Sequence, residues 1–257
     1  MIKVTCNTLI LCTLFLPFYA FSQAKVKVVE ESKKIESFLY GVGISVNQEI
    51  YKGYNTRVMP IPLIGYKGKK LSIFGPFVSY ELIDFNRFTL LAKLSPRFQG
   101  FDESDSAIFK GMEKRKSSLD AGIGLNYETN DWKIGFTSMF DIFGHSKGYE
   151  IKSSFGRVFS YGPIFFEPSI SFSYLDKKHV DYYYGVSTSE ITHDRIAYNG
   201  DSALNKNIGL SISTPVLFGG FTRLSIEHTR YDESITNSPL VKNDTSFNLL
   251  LLFTKNF

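Results

Sequence analysis

The chain has 257 residues, 16% of them aromatic and 21% charged, with a mean hydropathy of −0.06 and a formal charge of +4. The length suits one large domain, and so small a charge argues against a nucleic-acid surface. The densest basic patch, Lys110, Lys114, Arg115 and Lys116, has Glu113 inside it and reads as a solvated loop.

Residues 1–24 read as a signal peptide. Lys3 is the only charge among them, Leu9 to Phe21 is almost wholly apolar, and Ser22-Gln23-Ala24 places small residues for cleavage after Ala24. Pro17 interrupts the apolar run, which is shorter than the ~20 residues a spanning helix needs. Cys6 and Cys12 both fall in this segment, so the processed chain would hold no thiol for a disulfide, a nucleophile or a metal. Residues 25–37 are charged, lack alternation and read as a short periplasmic leader.

From Tyr40 onward a period of two recurs. Tyr40, Val42, Ile44 and Val46 oppose Gly41, Gly43, Ser45 and Asn47; Leu119, Ala121, Ile123, Leu125 and Tyr127 oppose Asp120, Gly122, Gly124, Asn126 and Glu128. Trp132, Ile134, Phe136 and Phe140 follow a tight Asn130-Asp131 turn, and Ile164, Phe166, Ile170, Phe172 and Tyr174 alternate with Glu167, Ser169, Ser171 and Ser173. Alternation by itself suits a soluble sandwich as well as a membrane barrel. Three features favour the barrel. The segments run about ten residues, which suits a tilted membrane strand. The second face is small and polar with isolated charges of both signs, among them Lys93, Arg97, Lys133, Lys152, Arg223 and Glu227, as a lumen would be. Tyrosines and phenylalanines, including Tyr51, Tyr54, Tyr80, Tyr161, Tyr231 and the triplet Tyr182-Tyr183-Tyr184, crowd segment ends as interface girdles do.

A spanning sheet must close, because hydrocarbon leaves an open edge unsatisfied. The predicted fold is therefore all-β, a closed antiparallel transmembrane β-barrel over 38–257. Its segments lie near 40–49, 56–66, 71–80, 88–101, 117–129, 132–141, 148–160, 164–175, 179–186, 204–215, 220–231 and 246–257. That is about twelve strands, with eight or ten left open by prolines at 60, 62, 76 and 96. Counting from periplasmic termini puts the long connections 187–203 and 232–245 outside and 102–116 on the periplasmic side, where turns are usually short. The last segment alternates Phe247, Leu249, Leu251 and Phe253 and stops at Phe257, the ending that outer-membrane barrels present for assembly.

The residues offer little chemistry. His145, His179, His193 and His228 lack metal-ligand spacing, and no Gly-x-Ser-x-Gly elbow occurs. His193-Asp194 near Ser187 and Ser189 reads as polar loop. No catalytic, cofactor or metal site is expected.

Three motifs carry a family resemblance: Gly111-Met112 with Arg115, the run through Tyr184-Gly185-Val186 followed by Glu190 and Tyr198, and Ser238-Pro239-Leu240-Val241 ahead of the terminal strand. In this order and spacing the chain resembles the MipA/OmpV family, named for the MltA-interacting protein. The resemblance implies a Gram-negative outer-membrane protein that contacts lipid and scaffolds peptidoglycan remodelling, joining a lytic transglycosylase to a murein synthase. A porin-like channel for small solutes is the alternative.

Overall fold

The structure is a computed structural model and describes residues 36–257. The predicted signal peptide and all but the end of the leader lie outside the described residues. Thirteen strand segments build one antiparallel wall: β1 (Ser37–Gln48), β2 (Thr56–Lys67), β3 (Leu71–Phe74), β4 (Phe77–Phe85), β5 (Phe88–Arg97), β6 (Ser118–Glu128), β7 (Trp132–Asp141), β8 (Tyr149–Arg157), β9 (Phe159–Tyr161), β10 (Ile164–Leu175), β11 (Ala203–Thr214), β12 (Phe221–Arg230) and β13 (Thr245–Asn256). β8 and β9 are two parts of one barrel strand interrupted at Val158, whose N–H still donates across to the Asp131 carbonyl at 2.7 Å. The barrel thus has twelve strands.

The sheet closes on itself. β1 pairs with β13 from Leu39↔Asn256 to Asn47↔Asn248, and β10 pairs with β11 from Phe165↔Ser213 to Leu175↔Ala203. Alternation sets which face is which. Val42, Ile44, Ile123, Leu125, Phe136, Phe140, Leu249 and Leu251 are exposed on the outside, while Ser45, Asp120, Thr137, Glu167, Ser169, Ser171, Asn207 and Ser211 are buried inside. An apolar belt on that scale is unstable in water and matched by lipid. Among the described residues no helix is long and apolar enough to cross a membrane, so the strands do the crossing.

The count of twelve was reached in the sequence by two offsetting errors. The segment 71–80 is two strands, because Gly75-Pro76 turns the chain back after four residues of β3. The segment 179–186 is instead a helix, α1 (Lys177–Tyr184). Asp176 starts it: its Oδ1 accepts the His179 amide at 3.1 Å and its Oδ2 the Lys178 amide at 3.3 Å. The tyrosine triplet looks strand-like by β propensity, but that cap and the tertiary burial of Val180, Tyr183 and Tyr184 on one side decide for helix.

The extra reversal at Gly75-Pro76 also changes the parity. The 102–116 connection lies with 49–55, 176–202 and 231–244 at the end of the barrel opposite the termini, not beside the short turns. Bonds between these loops require it: Lys52 N–H reaches the Leu240 carbonyl at 2.8 Å, and Lys116 N–H the Tyr182 hydroxyl at 2.8 Å. By loop length this is the extracellular end.

A buried cap at the loop end

Four connections fold inward and pack on one another. The first contributes Ile50 and Tyr51, the second Phe101, Phe109 and Met112, the third Val180, Tyr183, Tyr184 and Val186, and the fourth Ile235, Leu240 and Val241, all buried in one apolar cluster. The fourth includes the short helix α2 (Glu233–Thr236), capped by Asp232. Rings interlock at the centre. Phe101 stacks on Phe109 at 3.9 Å between centroids, Tyr51 stacks on Tyr184 at 5.6 Å, and Tyr51 meets Phe101 and Phe109 edge-on at 5.4 and 5.3 Å. Each such pair adds ~0.5–1.5 kcal/mol beyond area burial. Tyr51, Tyr54, Tyr183, Tyr184 and Tyr231, read in sequence as girdle residues, belong to this cap instead. Tyr40, Tyr80, Tyr161 and Phe257 are exposed on the wall, as a girdle requires.

The motif residues of the three sequence runs meet here. Met112, Tyr184, Val186 and Leu240 are in the apolar cluster, and Ser238 donates from its hydroxyl to the Tyr184 carbonyl at 2.6 Å. Pro239 sits between Ser238 and Leu240 in the turn where Val241 N–H bonds the Ser238 carbonyl at 3.0 Å. Gly111 has φ +78°, a conformation that a side chain at this position would strain. At Gly185 the need is space: its N–H donates to the Asp181 carbonyl at 2.8 Å, and a Cβ would run into that same carbonyl. Arg115 pairs with Glu190 at 2.9 Å, and its guanidinium lies over the rings of Phe101 and Tyr182, each at 5.8 Å. Phe257 is apart from all of these, at the terminal end, where its ring lies 4.8 Å from that of Tyr40.

Glu190 is the polar knot. Its carboxylate accepts from the Arg115 guanidinium, the amides of Ser187 (3.0 Å) and Glu113 (2.9 Å) and the Ser187 hydroxyl (2.9 Å). Burial alone would raise its pKa, but the bonds from Arg115, Ser187 and Glu113 outweigh it and hold the group down to about 2. Arg195, only 2% exposed, donates to the carbonyls of Glu190 (2.8 Å), Lys110 (3.3 Å) and Ile108. This buried arginine, which reading the sequence alone did not single out, ties the second loop to the third. Nothing in its local sequence signals it, since its partners are mostly carbonyls 85 and 87 residues away.

A second chain of bonds leads from the cap into the lumen. Gln99 donates to the Tyr184 hydroxyl at 2.8 Å and its Oε1 lies 3.2 Å from His179 Nε2. Burial, with the Arg97 charge adding to it, pushes the His179 pKa down to about 3. Below lie paired charges: Arg97 with Asp120 and with Glu150 (3.0 Å), Lys133 with Glu167 (2.7 Å), Arg223 with Glu167 (3.9 Å) and Lys152 with Glu227 (3.9 Å). Apart from Glu150, all of these are among the inward charges predicted from alternation.

The loop residues weighed for catalysis do not assemble. His193 and Asp194 are exposed, and the Ser187 hydroxyl is engaged with Glu190. Among the described residues no group of three or more His, Asp or Glu side chains could hold a metal.

The profile of the family described as "MltA-interacting protein MipA" matches residues 40–257. The chain belongs to the MipA family. Its relatives include "MltA-interacting protein" of Escherichia coli K12, 26% identical over 80% or so of both chains (79% of this one, 84% of that). "Putative outer membrane protein YiaT" of the same strain is 26% identical over 80% of this chain and 85% of its own. "Outer membrane protein Omp26La" of Vibrio anguillarum is 24% identical over 79% of each. This member of the MipA family is a β-barrel of the bacterial outer membrane, and the resemblance drawn from the three motifs is borne out.

Proposed function

We propose that this MipA-family barrel is a non-enzymatic scaffold of the cell envelope, holding a lytic transglycosylase together with a murein synthase at its periplasmic rim. The observation that carries the reading is the cap: four loops pack together at the outer end over a lumen crossed by ion pairs such as Arg97–Glu150 and Lys133–Glu167. A body built in this way favours rigidity over conduction. Membrane fixation then raises the effective concentration of soluble enzymes that dock at one rim. The relative named "MltA-interacting protein" supports this choice of partner.

The porin-like reading is supported by the polar lining of the lumen. Purified protein separates the two. The scaffold reading expects co-purification of a lytic transglycosylase from detergent extracts and no stable conductance steps in planar bilayers. Reproducible steps with no captured transglycosylase would favour the channel.

A further inference from the structure

The wall is incomplete at one place. β3 pairs with β2 only from Gly65 to Lys67 before the chain reverses at Gly75-Pro76. From Thr56 to Leu63, β2 is laddered to β1 on one side and to no strand on the other. The facing lip is the end of β5, whose pairing with β4 stops at Leu94↔Val78, so that Ser95, Pro96 and Arg97 pair only with β6. One side chain spans the opening at its loop end: Arg57 donates to the carbonyls of Phe98 and Gly100 (2.5 Å to the latter) and pairs with Glu49 at 2.8 Å.

The chemistry of the open edge is specific. Gly75 N–H bonds the Ile64 carbonyl at 3.0 Å, which puts the backbone polar groups of even-numbered β2 residues on the open side. Two of the four even positions from 56 to 62 are Pro60 and Pro62, which have no N–H. A strand added to this edge would find alternate donors missing. Hydrocarbon penalises every backbone polar group left unpaired, and the prolines take two donors out of this edge, so the edge suits lipid better than an ordinary one and repels a strand. The donors that remain, Thr56 and Val58, lie toward the loop end.

The lining agrees. Facing outward along β2 are Val58, Pro60, Pro62 and Ile64. Facing inward beyond Arg57 are Met59, Ile61 and Leu63, where much of the lumen presents serines, asparagines and charges. Leu63 is buried against Leu250 and Leu252, with Ile61 and Phe74 packed on them. An apolar patch inside the barrel therefore adjoins a break in the wall at membrane depth.

We propose that this break is a lateral opening, and that an alkyl chain of the surrounding lipid lies in it, between β2 and β5, against Ile61, Leu63 and Phe74. The opening gives an apolar tail the access to the interior that the cap denies from the aqueous side.

Tryptophan quenching by lipid brominated in mid-chain tests this on the processed full chain in nanodiscs. Each variant carries Trp132→Phe to remove the native tryptophan. Ile61→Trp reports the lining, Ile64→Trp the lipid-facing surface and Asn126→Trp a lumen position remote from the break; Met59→Trp repeats the lining probe should Ile61→Trp fail to fold, as judged by mobility of unheated samples in SDS gels. The expected result is quenching of the lining probe comparable to Ile64→Trp and severalfold greater than Asn126→Trp. Quenching of both lining probes no greater than that of Asn126→Trp, with Ile64→Trp quenched, overturns the proposal while leaving the membrane placement intact. So does a dimer in which the Thr56 and Val58 amides, the donors on the open side, are protected from exchange, since a strand of a second copy would then fill the break.

Discussion

At the residue scale the cap depends on a few buried polar groups whose partners come from different loops. Glu190 is the clearest. Glu190→Gln leaves the Arg115 guanidinium, only 10% exposed, without a counter-charge, and breaking such a pair costs ~3–5 kcal/mol. Hydrogen exchange should accelerate across the second and third loops while the barrel strands keep their protection. Acid should do the same to the native protein. Glu190 titrates at about 2 in the fold against an ordinary 4.5, so its contribution is whole above pH 4.5 and fades as pH falls toward 2. His179 titrates at about 3 against 6.5, so the unfolded loop takes up a proton first, and stability falls with pH through that interval. The two act in the same direction. Loop protection factors, referred to the intrinsic amide rate at each pH, should be smaller at pH 4 than at pH 7; equal factors would mean that these groups do not control the cap.

At the element scale the informative cases are α1 and the two prolines of β2. Asp176 caps α1 and also accepts the Tyr149 amide of β8 at 2.8 Å, so it joins helix to wall. Asp176→Ala should cost ~1–2 kcal/mol, read as local exchange of α1 amides. Pro62→Ala adds a donor to an edge with no acceptor. Placed in lipid, that donor costs ~1–3 kcal/mol, and the variant should show a lower unfolding midpoint in urea with vesicles present. Were the edge paired after all, the same change would be neutral or stabilising. In sequence these prolines read only as weak points in a strand. Their meaning depends on the missing neighbour, which no local pattern encodes.

At the scale of the whole molecule the barrel and the cap are held by different kinds of contact. The barrel is held by a ladder in which every strand outside the β2–β3–β4 corner has long partners on both sides, and the cap by an apolar cluster drawn from four loops. Tyr51→Ala removes the ring that touches Phe101, Phe109 and Tyr184, and truncation of so large a buried side chain costs ~3–5 kcal/mol. The expected outcome is a barrel that still migrates fast before heating in SDS gels, with loops cut by added protease at concentrations that leave the parent intact. Loss of the fast-migrating form would show instead that cap and wall fold as one unit.

Alternation, the polar lumen and the terminal aromatic strand were legible in the sequence because a strand two residues in period must show its two solvents to any reader. Family membership was legible for a related reason: the motifs hold their order along the chain. What the sequence did not disclose was that Met112, Arg115, Tyr184, Val186 and Leu240 would meet, that Arg195 would bind carbonyls from another loop, or that the tyrosine triplet would turn helical. Each depends on contacts between segments tens of residues apart, and the energy of such contacts is absent from any window of the chain. The parity of the loops is the same case in miniature. One two-residue reversal at Gly75-Pro76 moves the 102–116 connection from one end of the barrel to the other. Local pattern determined that the chain spans a membrane as a closed sheet; only the tertiary structure decided which end is capped and where the wall is left open.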